Sequence, residues 1–310
     1  MGGERTIGVD VGGTKIVVGL VERDGTVVRV ERRATPVTST EALLTGLTDL
    51  VETVRDETAA AIGIGIPSAI DQRSGTAVFS VNIPLADTDV RSWAAETFGL
   101  PAAIDNDANC AALAEWRAGA GRGASDLVMI TLGTGIGGGL VLGGRLYRGW
   151  IGAGAELGHI VADADGPVCQ GHCTGRGHLE GLASGRAVDA VAEELLGPGS
   201  GTPELIAAAR QGDMAAREAI EDAARWLGVG IASLVNLLNP ELVVIGGGFG
   251  EAFDLLVGPI REVLARDGVA PARDVVQIVP ALLGASAGLI GAALVGFEAL
   301  DAAGIPAASG

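Results

Sequence analysis

Three kinds of residue cluster in this sequence could do chemistry. The first is a carboxylate followed by glycines at the end of an apolar run, Asp10-Val11-Gly12-Gly13-Thr14-Lys15. Glycines let the backbone come close to an anion with its N–H groups turned inward, and a hard carboxylate beside them can hold Mg²⁺ directly or through water. The order Gly-Lys-Ser/Thr is missing and a second apolar run follows, so this is a hairpin and not a Walker loop. A similar stretch, Leu132-Gly133-Thr134-Gly135-Ile136-Gly137-Gly138-Gly139, meets the G-x-G-x-x-G spacing. Its continuation reads as a strand and not a helix, which excludes a dinucleotide fingerprint. Two such hairpins suggest one nucleotide held between two domains.

The second cluster is Asp105-Asn106-Asp107-Ala108-Asn109, just before a helical pattern. One role for it is to cap that helix. The other makes Asp107 a general base that accepts the proton of an attacking hydroxyl. The third cluster holds Glu156, His159, Cys169, His172, Cys173, His178 and Glu180, with every His of the chain and two of its three Cys. Two thiols and two imidazoles are the donors zinc prefers, and a closed four-ligand site is structural. The pattern alone leaves open a pair of free thiols beside surface imidazoles. Two Glu, a His, an Asn and an Asp would form a pocket of hydrogen-bonding groups suited to a sugar.

The elements that must position these groups are legible as alternating runs. Thr6–Val11, Ile16–Val21 and Thr26–Arg33 read as strands, Glu41–Thr58 as a helix, and Ala61–Ile66 as a buried strand. Trp93–Phe98 reads as a helix, Pro101–Ile104 as a strand and Asp107–Ala118 as a helix. Val128–Leu132 and Gly139–Leu142 repeat the opening hairpin, with Gly12 in register with Gly133, which predicts two related halves. Ala219–Leu238 is a long helix stopped by Asn239-Pro240. Leu242–Ile245 is a strand running into Gly246-Gly247-Gly248, Val276–Pro280 a last strand, and Ala281–Phe297 a buried helix.

Composition narrows the function. A 310-residue chain with 48% hydrophobic and 19% charged residues is globular, and a net charge of −17 argues against nucleic-acid and anionic-membrane partners. Met1–Arg5 is too short and polar for a signal peptide, and no apolar run reaches transmembrane length. The Cys pair beside His fits a reducing compartment, hence the cytoplasm.

Taken together the motifs resemble the ROK family of repressors and sugar kinases, in order from Thr6 to about Val295. Asp10–Lys15 is similar to its first phosphate motif, Leu132–Gly139 to its second, Ile245–Gly248 to its adenosine motif, and Glu156-Leu157-Gly158-His159 to its E-x-G-H. The base segment is usually Glu-Asn-Asp-Ala-Asn; here Asp105 stands first. The zinc segment usually reads C-x-C-G-x-x-G-C-x-E; here the first spacing widens to Cys169-Gln170-Gly171-His172-Cys173, and His178 replaces the last Cys.

The resemblance implies an α/β, two-domain actin-like (ribonuclease H-like) fold with ATP and sugar in the interdomain cleft. Residues 1–105, with a C-terminal helix of about 290–310, would form the smaller domain, and 106–289 the larger, zinc-binding one. It implies ATP-dependent phosphorylation of a hexose 6-hydroxyl, with glucose leading and N-acetylmannosamine, N-acetylglucosamine or fructose as alternatives. Asp107 would be the base, and Asn82, Asn106, Asp107, Glu156, His159 and Glu180 would bind the sugar. Asp10, Gly12, Gly13, Thr14, Lys15, Gly133, Thr134, Gly135, Gly137, Gly247 and Gly248 would hold Mg·ATP. His159, Cys169, Cys173 and His178 would hold structural Zn²⁺, with His172 a rival ligand. A homodimer or dimer of dimers is the implied assembly. Family repressors carry a helix-turn-helix before the first motif, so a sugar-sensing regulator is the remote alternative; only about five residues precede the first strand here.

Overall fold

The computed structural model describes residues 4–80, 82–171 and 173–304. In chain order the elements are β1 (Arg5–Val11), β2 (Lys15–Glu22), β3 (Val27–Ala34), α1 (Thr40–Val54), β4 (Ala59–Ile66), β5 (Ser68–Asp71), β6 (Thr76–Ser80), β7 (Ala86–Asp89), α2 (Val90–Phe98), β8 (Ala102–Asn106) and α3 (Asp107–Ala118). There follow β9 (Leu127–Leu132), β10 (Ile136–Leu142), β11 (Arg145–Tyr147), α4 (Leu179–Ala183), α5 (Gly185–Leu196), α6 (Thr202–Arg210), α7 (Met214–Leu238), β12 (Leu242–Gly246), α8 (Phe253–Asp267), α9 (Ala272–Val275), β13 (Gln277–Pro280) and α10 (Ala287–Ala302).

The chain divides into two compact units, one of Met1–Gly123, Leu146–Gly154 and Ala285–Gly310, the other of Ala124–Arg145 and Ala155–Gly284. This differs from a boundary after Asp105. Helix α3 belongs to the first unit because it packs on α10 so closely that a Cβ at Gly291 would overlap the backbone of Cys110.

The first unit is built on a sheet of order β3-β2-β1-β4-β8. β1 runs antiparallel to β2 with Asp10 opposite Val17, and parallel to β4, which is parallel to β8. Its core gathers Ile7, Val9, Val18 and Leu20 with Ile62, Ile64 and the apolar stripe of α1, Leu43, Leu47, Leu50 and Val54. The Ser39 hydroxyl caps α1 by accepting from Ala42 N–H at 3.1 Å. α1 stops at Val54, four residues short of the sequence pattern. β4 begins at Ala59 after an Asp56 turn whose carboxylate accepts from Thr58 N–H at 2.9 Å. β5, β6 and β7 form a small antiparallel sheet of their own.

α10 lies directly on β1 and β4. A Cβ at Gly63 would overlap the Ala292 carbonyl oxygen, so only glycine allows this approach, and the buried Thr6 hydroxyl donates to the Ala293 carbonyl at 2.8 Å. Among the described residues the helical stretch Gly284–Ala302, which contains α10, is the one long and apolar enough to cross a membrane, and most of it is buried.

The second unit repeats the order as β11-β10-β9-β12-β13. β10 is antiparallel to β9; β12 is parallel to both β9 and β13. The sequence repeat is therefore a repeat of topology. Its core packs Val128, Ile130, Val243 and Ile245 against Ile220, Leu227 and Ile231 of α7 and Leu256 and Ile260 of α8. Asp213 caps α7, and Asn239 ends it in the left-handed conformation (φ 47°) before Pro240.

Candidate functional site

The first hairpin turn is closed by Gly12 N–H donating to the Lys15 carbonyl at 2.9 Å. The end of β3 braces it, with Thr35 N–H on the Thr14 carbonyl at 3.0 Å and the Thr35 hydroxyl on the Gly12 carbonyl at 2.6 Å. Thr14 and Lys15 are exposed. A Cβ at Gly13 would lie 3.0 Å from that of Asn82, so Asn82, expected at the sugar, stands against the first hairpin turn. Asp10 closes β1. Burial first, then repulsion from Asp107, push its carboxyl up to about 6, with Lys15 pulling the other way. Gly288, near the start of α10, is glycine because a Cβ there would stand 2.6 Å from the Asp10 carboxylate.

The segment Asp105–Asn109 lies in the same unit. The helix cap is Asn106: its Oδ1 accepts from Ala108 N–H at 2.9 Å and Asn109 N–H at 3.2 Å, and its amide donates to the Ser68 carbonyl at 3.4 Å. The capping role thus falls on Asn106. Asp107 is the first helical residue, with Oδ1 accepting from Ala108 N–H at 2.9 Å.

In the second unit the other hairpin closes in the same way, with Gly133 N–H on the Gly135 carbonyl at 2.9 Å. β10 starts at Ile136, so Gly137 is a strand residue paired with Thr131. Gly247 (φ 84°) follows β12, and a Cβ there would overlap the Leu132 backbone. The Gly246-Gly247-Gly248 turn and the second hairpin are therefore adjacent. Glu180, on α4, also reaches this hairpin: its Oε2 accepts from Ile136 N–H at 2.9 Å. Gly185 N–H, at the start of α5, donates to the Gly133 carbonyl at 2.8 Å. The sequence placed Glu180 at the sugar and gave no sign of this second attachment. Glu156 precedes the short 3₁₀ turn Leu157–His159. Burial raises its carboxyl above the usual range, His159 opposes that, and Glu180 adds to it.

His159, Cys169, Cys173 and His178 converge, with all four ligand atoms within 4.8 Å of one another. The Nδ1 atoms of His159 and His178 are 3.1 Å apart. Cys169 Sγ is 3.7 Å from His159 Nδ1, and Cys173 Sγ is 3.5 Å from His178 Nδ1. A zinc tetrahedron with ordinary Zn–N and Zn–S bonds has N–N edges of about 3.3 Å and N–S edges of about 3.6 Å. The donor set fits a zinc ion. Both imidazoles offer Nδ1 to the cluster, so His159 keeps Nε2 for another partner. His172 lies outside the described residues. Gln170, which the sequence did not single out, ties the cluster to α4 and α5. Its amide donates to the Glu180 carbonyl at 3.2 Å and to the Ser184 hydroxyl at 2.8 Å.

The family profile described as the ROK family matches residues 6–297. A glucokinase of Streptomyces coelicolor is 38% identical over 307 residues, spanning 93% of this chain and 96% of that protein. A glucokinase of Thermotoga maritima is 38% identical over 310 residues, with the same coverage of 93% and 96%. Among solved structures, a ROK family glucokinase from Streptomyces griseus in complex with glucose and AMPPNP is similar with a TM-score of 0.82. It is 36% identical, and the match covers 95% of this chain and 99% of that one.

Proposed function

Because the chain belongs to the ROK family and has its two-domain actin-like fold, we propose that it transfers the γ-phosphoryl group of Mg·ATP to the 6-hydroxyl of glucose. The observation that carries the reading is the carboxylate of Asp107 at the start of α3, ordered by the Asn106 cap in the same unit as the Asp10 hairpin.

In this mechanism Asp107 takes the proton of the attacking hydroxyl as the phosphoryl group arrives. Asn106 through its amide, Glu156, His159 through Nε2, and Glu180 hold the other hydroxyls, with Asn82 beside the Gly13 turn. Gly12 and Gly133 close the turns with their own N–H groups, leaving those of Gly13-Thr14 and Thr134-Gly135 for phosphate, with Lys15 assisting, and Gly247-Gly248 would accommodate the adenosine. Asp10 would hold Mg²⁺, which would neutralise charge on the phosphates. His159, Cys169, Cys173 and His178 would hold a structural zinc, which would fix the segment carrying His159 and Glu180. The Cys/His zinc set supports a reducing, cytoplasmic setting, and the family resemblance supports a homodimer.

The direct test is ADP release with Mg·ATP over a panel of glucose, fructose, N-acetylglucosamine and N-acetylmannosamine, with a blank lacking sugar. Turnover with glucose at a kcat/KM well above the others is expected. Preference for another sugar replaces the substrate but keeps the mechanism. No turnover with any sugar, in zinc-replete protein, overturns the reading.

The zinc site has its own expected result. His178→Ala should take metal content from about one zinc per chain to well below half. It should also lower the melting temperature by several degrees, since zinc binding contributes folding free energy. His178→Cys should keep the metal, because thiolate is an equally good donor. Elemental analysis and thermal melts read both. Metal-free wild-type protein whose melt ignores a chelator would remove zinc from the account.

A further inference from the structure

Asp105 is where this chain has the shorter acid in the base motif, and its carboxylate is wholly buried. Its Oδ1 accepts from Asn106 N–H at 2.8 Å and from the Asn109 amide at 2.9 Å. Its Oδ2 accepts from Arg148 Nε at 2.5 Å, and Arg148 Nη2 donates to Glu298 of α10 at 2.7 Å. The guanidinium thus spans two carboxylates from different elements, which a planar fork with diverging donors can do and a single ammonium cannot do as well.

The segment Leu146–Gly154 that carries Arg148 is itself held within the first unit. Gln72 N–H donates to the Ile151 carbonyl at 2.8 Å, Gly154 N–H to the Arg148 carbonyl at 2.9 Å, and the Gln72 amide to the Ile104 carbonyl of β8 at 3.0 Å. Without its partner Asp105 would be a fully buried, uncompensated carboxylate two residues from Asp107, a costly arrangement. The charges around the neighbouring Cys110 are three carboxylates and Arg148. Burial, then Asp105, Asp10 and Asp107, drive the Cys110 thiol upward, and Arg148 opposes them.

We propose that Arg148 is a positioning residue for phosphoryl transfer: it holds Asp105, and through it the Asn106–Asp107 turn, so that the Asp107 carboxylate is presented to the attacking hydroxyl. This rests on the reading of Asp107 as the base. The hydrogen bonds of Arg148 go to Asp105 and Glu298, so its loss should act on kcat while leaving binding nearly intact. A displacement of about an ångström at a catalytic group costs on the order of 10²-fold.

The experiment measures kcat and the KM values for ATP and glucose in Arg148→Met, Asp105→Asn, the double variant and Asp107→Ala, with thermal melts of each. Arg148→Met should lose about 10²-fold in kcat with both KM values within about threefold. In the double variant the buried charge is gone while Asn still accepts from Asn106 and Asn109. It should therefore recover about tenfold over Arg148→Met, a coupling that independent sites do not show. Wild-type kcat in Arg148→Met, a loss confined to KM, or a double variant as poor as the product of the singles each overturns the proposal. If Arg148→Met does not fold, Arg148→Lys decides: a loss of about tenfold in kcat alone supports it, and wild-type kcat overturns it. Asp107→Ala separates the two levels: high activity there removes the base reading, while its loss beside an active Arg148→Met removes only the positioning role.

Discussion

Asp107→Ala should lower kcat by about 10²–10⁴, the usual contribution of a positioned general base. The side chain is short and its backbone is fixed by the Asn106 cap and the end of β8, so truncation removes the carboxylate without disturbing α3. Asp107→Asn keeps shape and removes the charge. Both should be comparably slow if proton acceptance is the role. Glucose affinity, read by equilibrium binding, should change far less than kcat. A kcat within a few-fold of wild type in either variant would remove Asp107 from the chemistry. In a loose phosphoryl-transfer transition state charge stabilisation carries most of the acceleration, so residual activity well above the uncatalysed rate is expected.

Asp10→Asn should make the nucleotide-free protein more stable at pH 8 and nearly inactive. Burial, then Asp107, hold the Asp10 carboxyl at about 6, above its ordinary 3.8. The folded state therefore binds this proton more tightly than the unfolded chain does. The stability it contributes is fully present below about pH 4 and is lost as the pH rises through about 6. At pH 8 the folded chain carries a strained carboxylate worth at most about 3 kcal/mol. Asn removes it, so the melting temperature without Mg²⁺ and nucleotide should rise by roughly 2–5 °C at pH 8. At pH 4 the two proteins should melt together. Activity should fall by about 10² or more with the loss of the carboxylate proposed to hold Mg²⁺. Equal melting temperatures at pH 8, or a stabilisation that persists at pH 4, would contradict this account.

Where glycine, acid or a long apolar run punctuates the chain, the sequence is explicit. Gly12 and Gly133 announced both hairpins, and the α3 bounds coincide with the pattern from Asp107 to Ala118. The β5–β7 sheet was not legible, because Ser68–Asp71 and Ala86–Asp89 are four-residue strands without apolar alternation. Polar partnerships between distant residues were equally hidden. Glu180 on the Ile136 N–H, Asn82 against Gly13, and Arg148 across Asp105 and Glu298 arise from topology, which spacing along the chain does not encode. The four-ligand cluster was legible because three of its members fall within ten residues, and His159 was brought in by the shared chemistry of its neighbours.

The helix that covers β1 and β4 is made long after the strands it covers. On a ribosome adding about 5–20 residues per second, the stretch from Gly154 to Ala287 takes roughly 7–30 s to emerge. Through that interval the amino-terminal sheet has been synthesised but lacks its lid, with Gly8 and Gly63 leaving bare backbone where α10 will lie. The nascent chain is therefore at its stickiest late in this interval, and a product cut off before Ala287 carries a first sheet without its cover.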